Sequence, residues 1–113
     1  MHLFIKGKYM NNVTAIILAR NEEQHIEECI KSIQCANEIL VIDDGSTDQT
    51  VFLAEQLSAK VIHHALNGDW AQQRRFGISQ SSCEWILFID SDERISSELN
   101  DEIRQVVQRR EKK

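Results

Sequence analysis

The chain has 113 residues, 42% of them hydrophobic and 27% charged, which is the composition of one globular domain rather than of a fibrous or disordered chain. Its net charge of -5 excludes a general electrostatic attraction to nucleic acid or to anionic membrane, so any phosphate it binds must be held by local groups. Cys29, Cys35 and Cys83 have no CxxC spacing and suit neither a disulfide framework nor a zinc site, and no apolar run approaches the roughly 20 residues that span a bilayer; a cytoplasmic location is expected.

The opening "MHLFIKGKYMNN" has too short an apolar core for a secretory signal. It is expected to be a loosely ordered leader over residues 1–12, with Met10 a candidate start. The first strand is "VTAIILA" from Val13. A helix follows in which Ile26, Cys29, Ile30 and Ile33 form one apolar stripe, with Asn21 as candidate N-cap and Glu22 and Glu23 at the positive end of its dipole. The second strand, "EILVID" from Glu38, leads to "STDQT", where Ser46 and Gln49 stand at capping-box spacing and Asp48 falls in the first turn of a second helix. Val51, Ala54 and Leu57 supply its inner face. "KVIHH" from Lys60 is the third strand, and the loop "HALNGDW" leads to a third helix over about 69–82. "EWILFID" from Glu84 is the fourth strand. The last helix, after Arg94, is expected to bury Leu99, Ile103, Val106 and Val107 before a solvated tail at 111–113.

The four strands start 25, 22 and 24 residues apart, and three are too continuously apolar to have a wet face. Alternation of strand and helix predicts one α/β domain over residues 13–110: a Rossmann-like, mainly parallel sheet of about four strands, flanked by helices and joined by right-handed crossovers. The absence of Pro and the four Gly leave no interdomain linker.

Ligands of open α/β sheets bind at the carboxyl ends of the strands. Here those ends read "ARNEE", "DDGSTD" and "DSDER". Gathering carboxylates at one edge stabilises nothing by itself, and a hard divalent cation with oxygen ligands resolves the repulsion. In an extended segment Asp90 and Asp92 point to the same side, and Mg²⁺ or Mn²⁺ binds through one or two carboxylates plus substrate phosphates. Solvated helix-capping aspartates would show the same triplet. Asp43 or Asp44 ends the second buried strand, where a carboxylate can accept the imide N–H of uracil or bond a ribose hydroxyl. An Asp-Gly turn with a capping box accounts for Gly45, Ser46 and Asp48, but not for the adjacent pair.

The order "ILARNEEQHIEECIKSI", "EILVIDDGSTDQT", "AQQRRFGIS", "WILFIDSDER" resembles the start of family 2 glycosyltransferases, which have the GT-A fold, and bacterial lipopolysaccharide-core and surface-glycan glucosyltransferases in particular. Any one motif is unspecific; four in order at the right strand ends are not. The resemblance implies a nucleotide-sugar-binding domain in which Ala19, Arg20 and Glu22 line the nucleoside pocket and Asp43 contacts uracil with Asp44 nearby. It implies that Arg74, or Arg75 where relatives carry Asn, approaches the base or the diphosphate. Asp92 is then the metal ligand, with Asp90 toward ribose or metal, and the cofactor is Mg²⁺ or Mn²⁺. His63 and His64 are expected to be structural, and Trp70 a packing residue more readily than a sugar platform.

Relatives that invert the anomeric centre need a downstream carboxylate as general base. Glu93, Glu98, Asp101 and Glu102 follow the aspartate motif too closely or lie on the last helix, so the base is expected beyond Lys113. The resemblance therefore implies the donor-binding portion of a metal-dependent, inverting transferase using a UDP-sugar for cell-surface glycan or lipopolysaccharide synthesis, cytoplasmic or peripheral at the inner face of the plasma membrane, with activity of this chain alone left open. A glycan or lipid-linked acceptor would be bound by a further half or a partner, and self-association through an exposed sheet edge is an added expectation. The alternative is a non-catalytic nucleotide-binding module. A phosphate-receiver domain also clusters aspartates, but the Lys and Thr it needs at later strand ends are missing.

Overall fold

A computed structural model describes residues 1–7 and 12–111. In chain order the elements are β1 (His2–Ile5), β2 (Val13–Ala19), α1 (Ile26–Ser32), β3 (Glu38–Asp43), α2 (Thr50–Gln56), β4 (Lys60–His63), α3 (Trp70–Gln80), β5 (Trp85–Phe88) and α4 (Ser97–Glu111). They build one five-stranded sheet in the order β1-β5-β2-β3-β4. The β2–β3, β2–β5 and β3–β4 pairs are parallel, and β1 runs antiparallel to β5.

The apolar runs sit where their composition requires. Ile16, Ile17, Leu40, Val41, Ile42, Ile86 and Leu87 are inaccessible to solvent, because β2, β3 and β5 are covered on both faces. On one face Ala15, Ile17, Val41 and Leu87 pack with Ile26, Cys29 and Ile30 of α1, Ala54 of α2 and Ile103 and Val107 of α4. On the other, Ile16, Leu40, Ile42 and Ile86 meet Phe76 and Ile78 of α3. Gly77 lets α3 lie close to the sheet: a Cβ there would come within 3.1 Å of Ile16 Cγ2. The helix stripes are as expected except at Val106, which is exposed, and in α2, where Leu53 rather than Val51 packs on the core beside Ala54 and Leu57; Leu99 is half-buried.

The helix starts differ from expectation. α3 begins as read, with the Asp69 side chain accepting from Gln72 N–H at 3.0 Å. α1 and α2 begin four and three residues later than the capping signals suggest, and neither has a side-chain cap. Those signals bond across the two loops instead. Asn21, at φ 53°, accepts from Thr47 N–H through Oδ1 at 2.8 Å and donates its own N–H to Ser46 Oγ at 2.9 Å. Glu22 N–H donates to Thr50 Oγ1 at 2.8 Å, and Glu23 N–H to Asp48 at 3.2 Å. Residues suited to capping a helix thus satisfy the backbone of the neighbouring loop, tying the β2–α1 connection to β3–α2.

The leader and the strand count also need correction. Residues 2–5 are a strand, with His2 opposite Phe88 and Ile5 opposite Trp85, so the sheet has five strands rather than about four. Leu3 and Ile5 pack against one core cluster and Phe4 against the other, which is the alternation of a short edge strand. Met10 lies outside the described residues. Among those described, no helix is long and apolar enough to cross a membrane.

Candidate functional site

The chain winds outward from β2 to β3 and β4, then α3 carries it back across the sheet to place β5 on the other side of β2. The connection leaving β2, through α1, and the one entering β5, through α3, therefore lie on opposite faces of the sheet, and a crevice opens at the carboxyl ends of the two strands. The structure holds a cleft of about 460 Å³ there, within the range of small-molecule sites.

β2 supplies Ala19, and the turn after it supplies Arg20 and Glu22. The turn after β3 supplies Asp44, α3 supplies Arg74, and the loop after β5 supplies Asp90 and Asp92. Seven of the eight candidate residues are thus brought into one cleft; Asp43 and the alternative Arg75 are not among its lining. Of the two adjacent aspartates, Asp43 is 1% exposed and faces inward. Its Oδ2 accepts from Ser46 N–H at 3.1 Å and lies 3.2 Å from His63 Nδ1, while Oδ1 is buried without a partner among the described residues. Asp44 lies 3.8 Å from the Arg20 guanidinium and accepts from Leu66 N–H at 3.0 Å, which anchors the loop leading to α3.

The loop after β5 is braced from several sides while its two aspartates stay open. Glu93 Oε1 accepts from Asp90 N–H at 2.7 Å, and Glu93 N–H returns a bond to Asp90 C=O at 2.9 Å. Arg94 pairs with Glu28 of α1 at 3.0 Å, and Ile95 N–H donates to Ser32 Oγ at 3.0 Å. From beneath, the Cys29 thiol reaches Asp90 C=O at 3.5 Å; burial pushes that thiol up to about 11, so it stays protonated and can donate. The Asp90 and Asp92 carboxylates are exposed and take no hydrogen bond or ion pair among the described residues.

Two unpaired hard-oxygen donors on one cleft fit a small divalent cation that completes its shell with substrate oxygens and water. Among the described residues no group of three or more His, Cys, Asp and Glu could hold a metal ion. Arg74 is, with Arg20, a cationic side chain lining the cleft. It has no ion pair or hydrogen bond among the described residues, and its Cζ lies 5.6 Å from the centre of the Phe88 ring.

Other cleft residues are hard to find in the sequence. Trp70 is 61% exposed and lines the cleft, so it is not the packing residue expected. Gln73 also lines it, although 2% exposed; its amide donates to His64 C=O and its Oε1 meets His64 Nδ1, both at 2.6 Å. His64 in turn stacks on Phe76 at 3.7 Å. His63 and His64 are therefore structural partners of Asp43 and Gln73. The available signal was the position of "HALNGDW" at the carboxyl edge of the sheet, where loops carry function.

Residues 14–110 match the family model described as glycosyl transferase family 2. A protein described as an uncharacterized glycosyltransferase of Rickettsia felis is 43% identical over 95 residues, covering 83% of this chain and 33% of its own length. The lipopolysaccharide core biosynthesis glycosyltransferase LpsC of Rhizobium meliloti is 32% identical over 94 residues, covering 79% of this chain and 34% of its own. Among solved structures, glucosyl-3-phosphoglycerate synthase of Mycobacterium tuberculosis, in complex with Mn²⁺, UDP and glucosyl-3-phosphoglycerate, superposes with a TM-score of 0.63 at 27% identity. That match covers 71% of this chain and 33% of the other. The chain spans about a third of the length of the curated relatives it matches.

Proposed function

Because the chain belongs to glycosyl transferase family 2 and carries the α/β architecture of the GT-A fold, we propose that it is the donor-binding portion of a metal-dependent, inverting glycosyltransferase. Its donor is a nucleotide sugar, with UDP as nucleotide, and its product a lipopolysaccharide or other cell-surface glycan made at the cytoplasmic face of the membrane. The observation that carries this reading is the cleft at the β2–β5 switch, where open Asp90 and Asp92 face the same space as Arg74. The solved relative bound to Mn²⁺ and UDP supports the choice of ligands, and LpsC supports the choice of product.

In this reading each residue acts by position and charge. Asp90 and Asp92 hold Mg²⁺ or Mn²⁺, which when bound neutralises charge growing on the diphosphate leaving group. Arg74 adds charge-assisted hydrogen bonds to the same oxygens. Ala19, Arg20 and Glu22 border the nucleoside. The buried, unpartnered Asp43 Oδ1 is the acceptor a uracil imide would satisfy, whereas Asp44 orders the loop that presents Trp70. The acceptor and the base that takes its proton belong to the part of the relatives' length that this chain does not span.

Calorimetric titration of UDP into the chain, with Mn²⁺ and again with EDTA, tests the proposal. Binding that needs the cation, and that Asp92→Asn abolishes, is expected. Equal binding in EDTA would remove the metal from the reading. No binding in either buffer would remove the donor site. A non-catalytic module would bind UDP-sugar yet neither hydrolyse it nor transfer sugar to a glycan extract.

A further inference from the structure

β1 lies outside the residues that match the family, yet an aromatic chain joins it to the cleft. In the antiparallel β1–β5 pair His2 stands opposite Phe88 and Phe4 opposite Ile86, which makes Phe4 and Phe88 diagonal neighbours on one face. Their rings stack with centroids 5.9 Å apart and planes inclined by 26°. Phe88 lines the cleft, and the Arg74 guanidinium carbon lies 5.6 Å from its centroid.

Arg74 is exposed and finds no ion pair or hydrogen bond among the described residues, and its guanidinium lies over the Phe88 ring. A guanidinium over an aromatic face is attracted by the ring quadrupole, and a confined one loses less entropy when it meets a phosphate. Phe88 can serve as that platform only while its own rotamer is held, and Phe4 is the ring packed against it. Resting on the donor-site reading above, we infer that Phe4 is a positioning residue for the diphosphate end of the site, acting through Phe88 on Arg74. An edge strand added before the family domain thereby tunes how tightly the nucleotide's phosphates are held, leaving the nucleoside contacts to β2 and β3.

The test is titration of UDP with Mn²⁺, and of uridine, into the 113-residue chain and its Phe4→Leu and Phe4→Tyr variants. Leu keeps an apolar side chain at the edge and removes the ring; Tyr restores the ring. Phe4→Leu is expected to weaken UDP about two- to fivefold, the size of an exposed cation–π contact. Uridine binding should stay unchanged, and Phe4→Tyr should match the parent. In an Arg74→Ala background Phe4→Leu should add nothing, since the two act in series. UDP binding unaltered by Phe4→Leu, or parallel losses of UDP and uridine from a general loosening of the fold, would overturn the inference and leave the donor site standing. A parent chain that binds no UDP would overturn the donor-site reading, and this inference with it.

Discussion

Asn100 shows how much one buried polar side chain can organise. It is 1% exposed, accepts from Gln34 and Cys35 N–H through Oδ1, each at 2.9 Å, and donates to Ser32 C=O at 2.9 Å and Ser96 C=O at 3.1 Å. Every hydrogen-bonding position of the amide is used, so Asn100→Ala would strand backbone groups of two segments. It should cost about 2–3 kcal/mol in urea unfolding, while UDP affinity, set at the far end of the strands, stays the same. Asp48 is the corresponding case for charge. Burial pushes its carboxyl up, but hydrogen bonds from Thr50 and from Glu23 N–H outweigh this and hold it below the ordinary range. A group depressed in the folded state contributes fully above its unfolded value and loses that contribution as pH falls through the folded one. The stability difference between the parent and Asp48→Asn should therefore be full above about pH 4 and shrink below it, as unfolding at about pH 7 and about pH 3 would show. Neither residue stood out in the sequence as a lock. Asp48 reads only as a first-turn acid and Asn100 carries no signal, because their partners are brought in only by tertiary structure.

At the scale of elements, the sequence was most legible where burial on both faces leaves no alternative. β2, β3 and β5 announce themselves as unbroken apolar runs, and α1 as a stripe at helical spacing. β1 did not, since four residues whose burial comes from a strand eighty or more positions away carry no local signal. The starts of α1 and α2 were misread for a related reason: Asn21 and Ser46 have the chemistry of caps, and only the proximity of the two loops turns that chemistry sideways. The cleft was legible at strand ends, as carboxylates where a sheet offers a crevice, and illegible at Gln73 and Trp70, whose roles depend on how closely α3 lies on β2. That approach rests on Gly77. A leucine there would meet Ile16 and Ile42 and force the helix outward, so Gly77→Leu should destabilise by about 2 kcal/mol. It should also weaken UDP binding through displacement of Arg74, which the same titration would measure.

For the whole molecule, the sheet separates two tasks. The face carrying α1, α2 and α4 holds the larger core, whereas the face under α3 is the thinner one and opens directly into the cleft. Opposite the cleft, the amino ends of the strands are closed by their own polar lock: Glu38 accepts from the Thr14 hydroxyl at 2.8 Å and from Ser82 N–H at 3.0 Å. The rigid end and the binding end are thus the two ends of the same strands, and a ligand meets side chains whose backbones are already fixed. Both sheet edges are short, four residues in β1 and four in β4, where Lys60 adds a charge.

The placement of β1 also has a consequence in time. A ribosome delivers the chain from its amino end at roughly 5–20 residues per second, and domains begin to organise as they emerge. β2, β3 and β4 can pair in the order they appear, each beside the last. β1 cannot, because its place is defined by Trp85 to Phe88, which follow β2, β3 and β4 in the chain. Phe4 leaves the ribosome before Phe88, and β1 cannot be seated until β5 has been made.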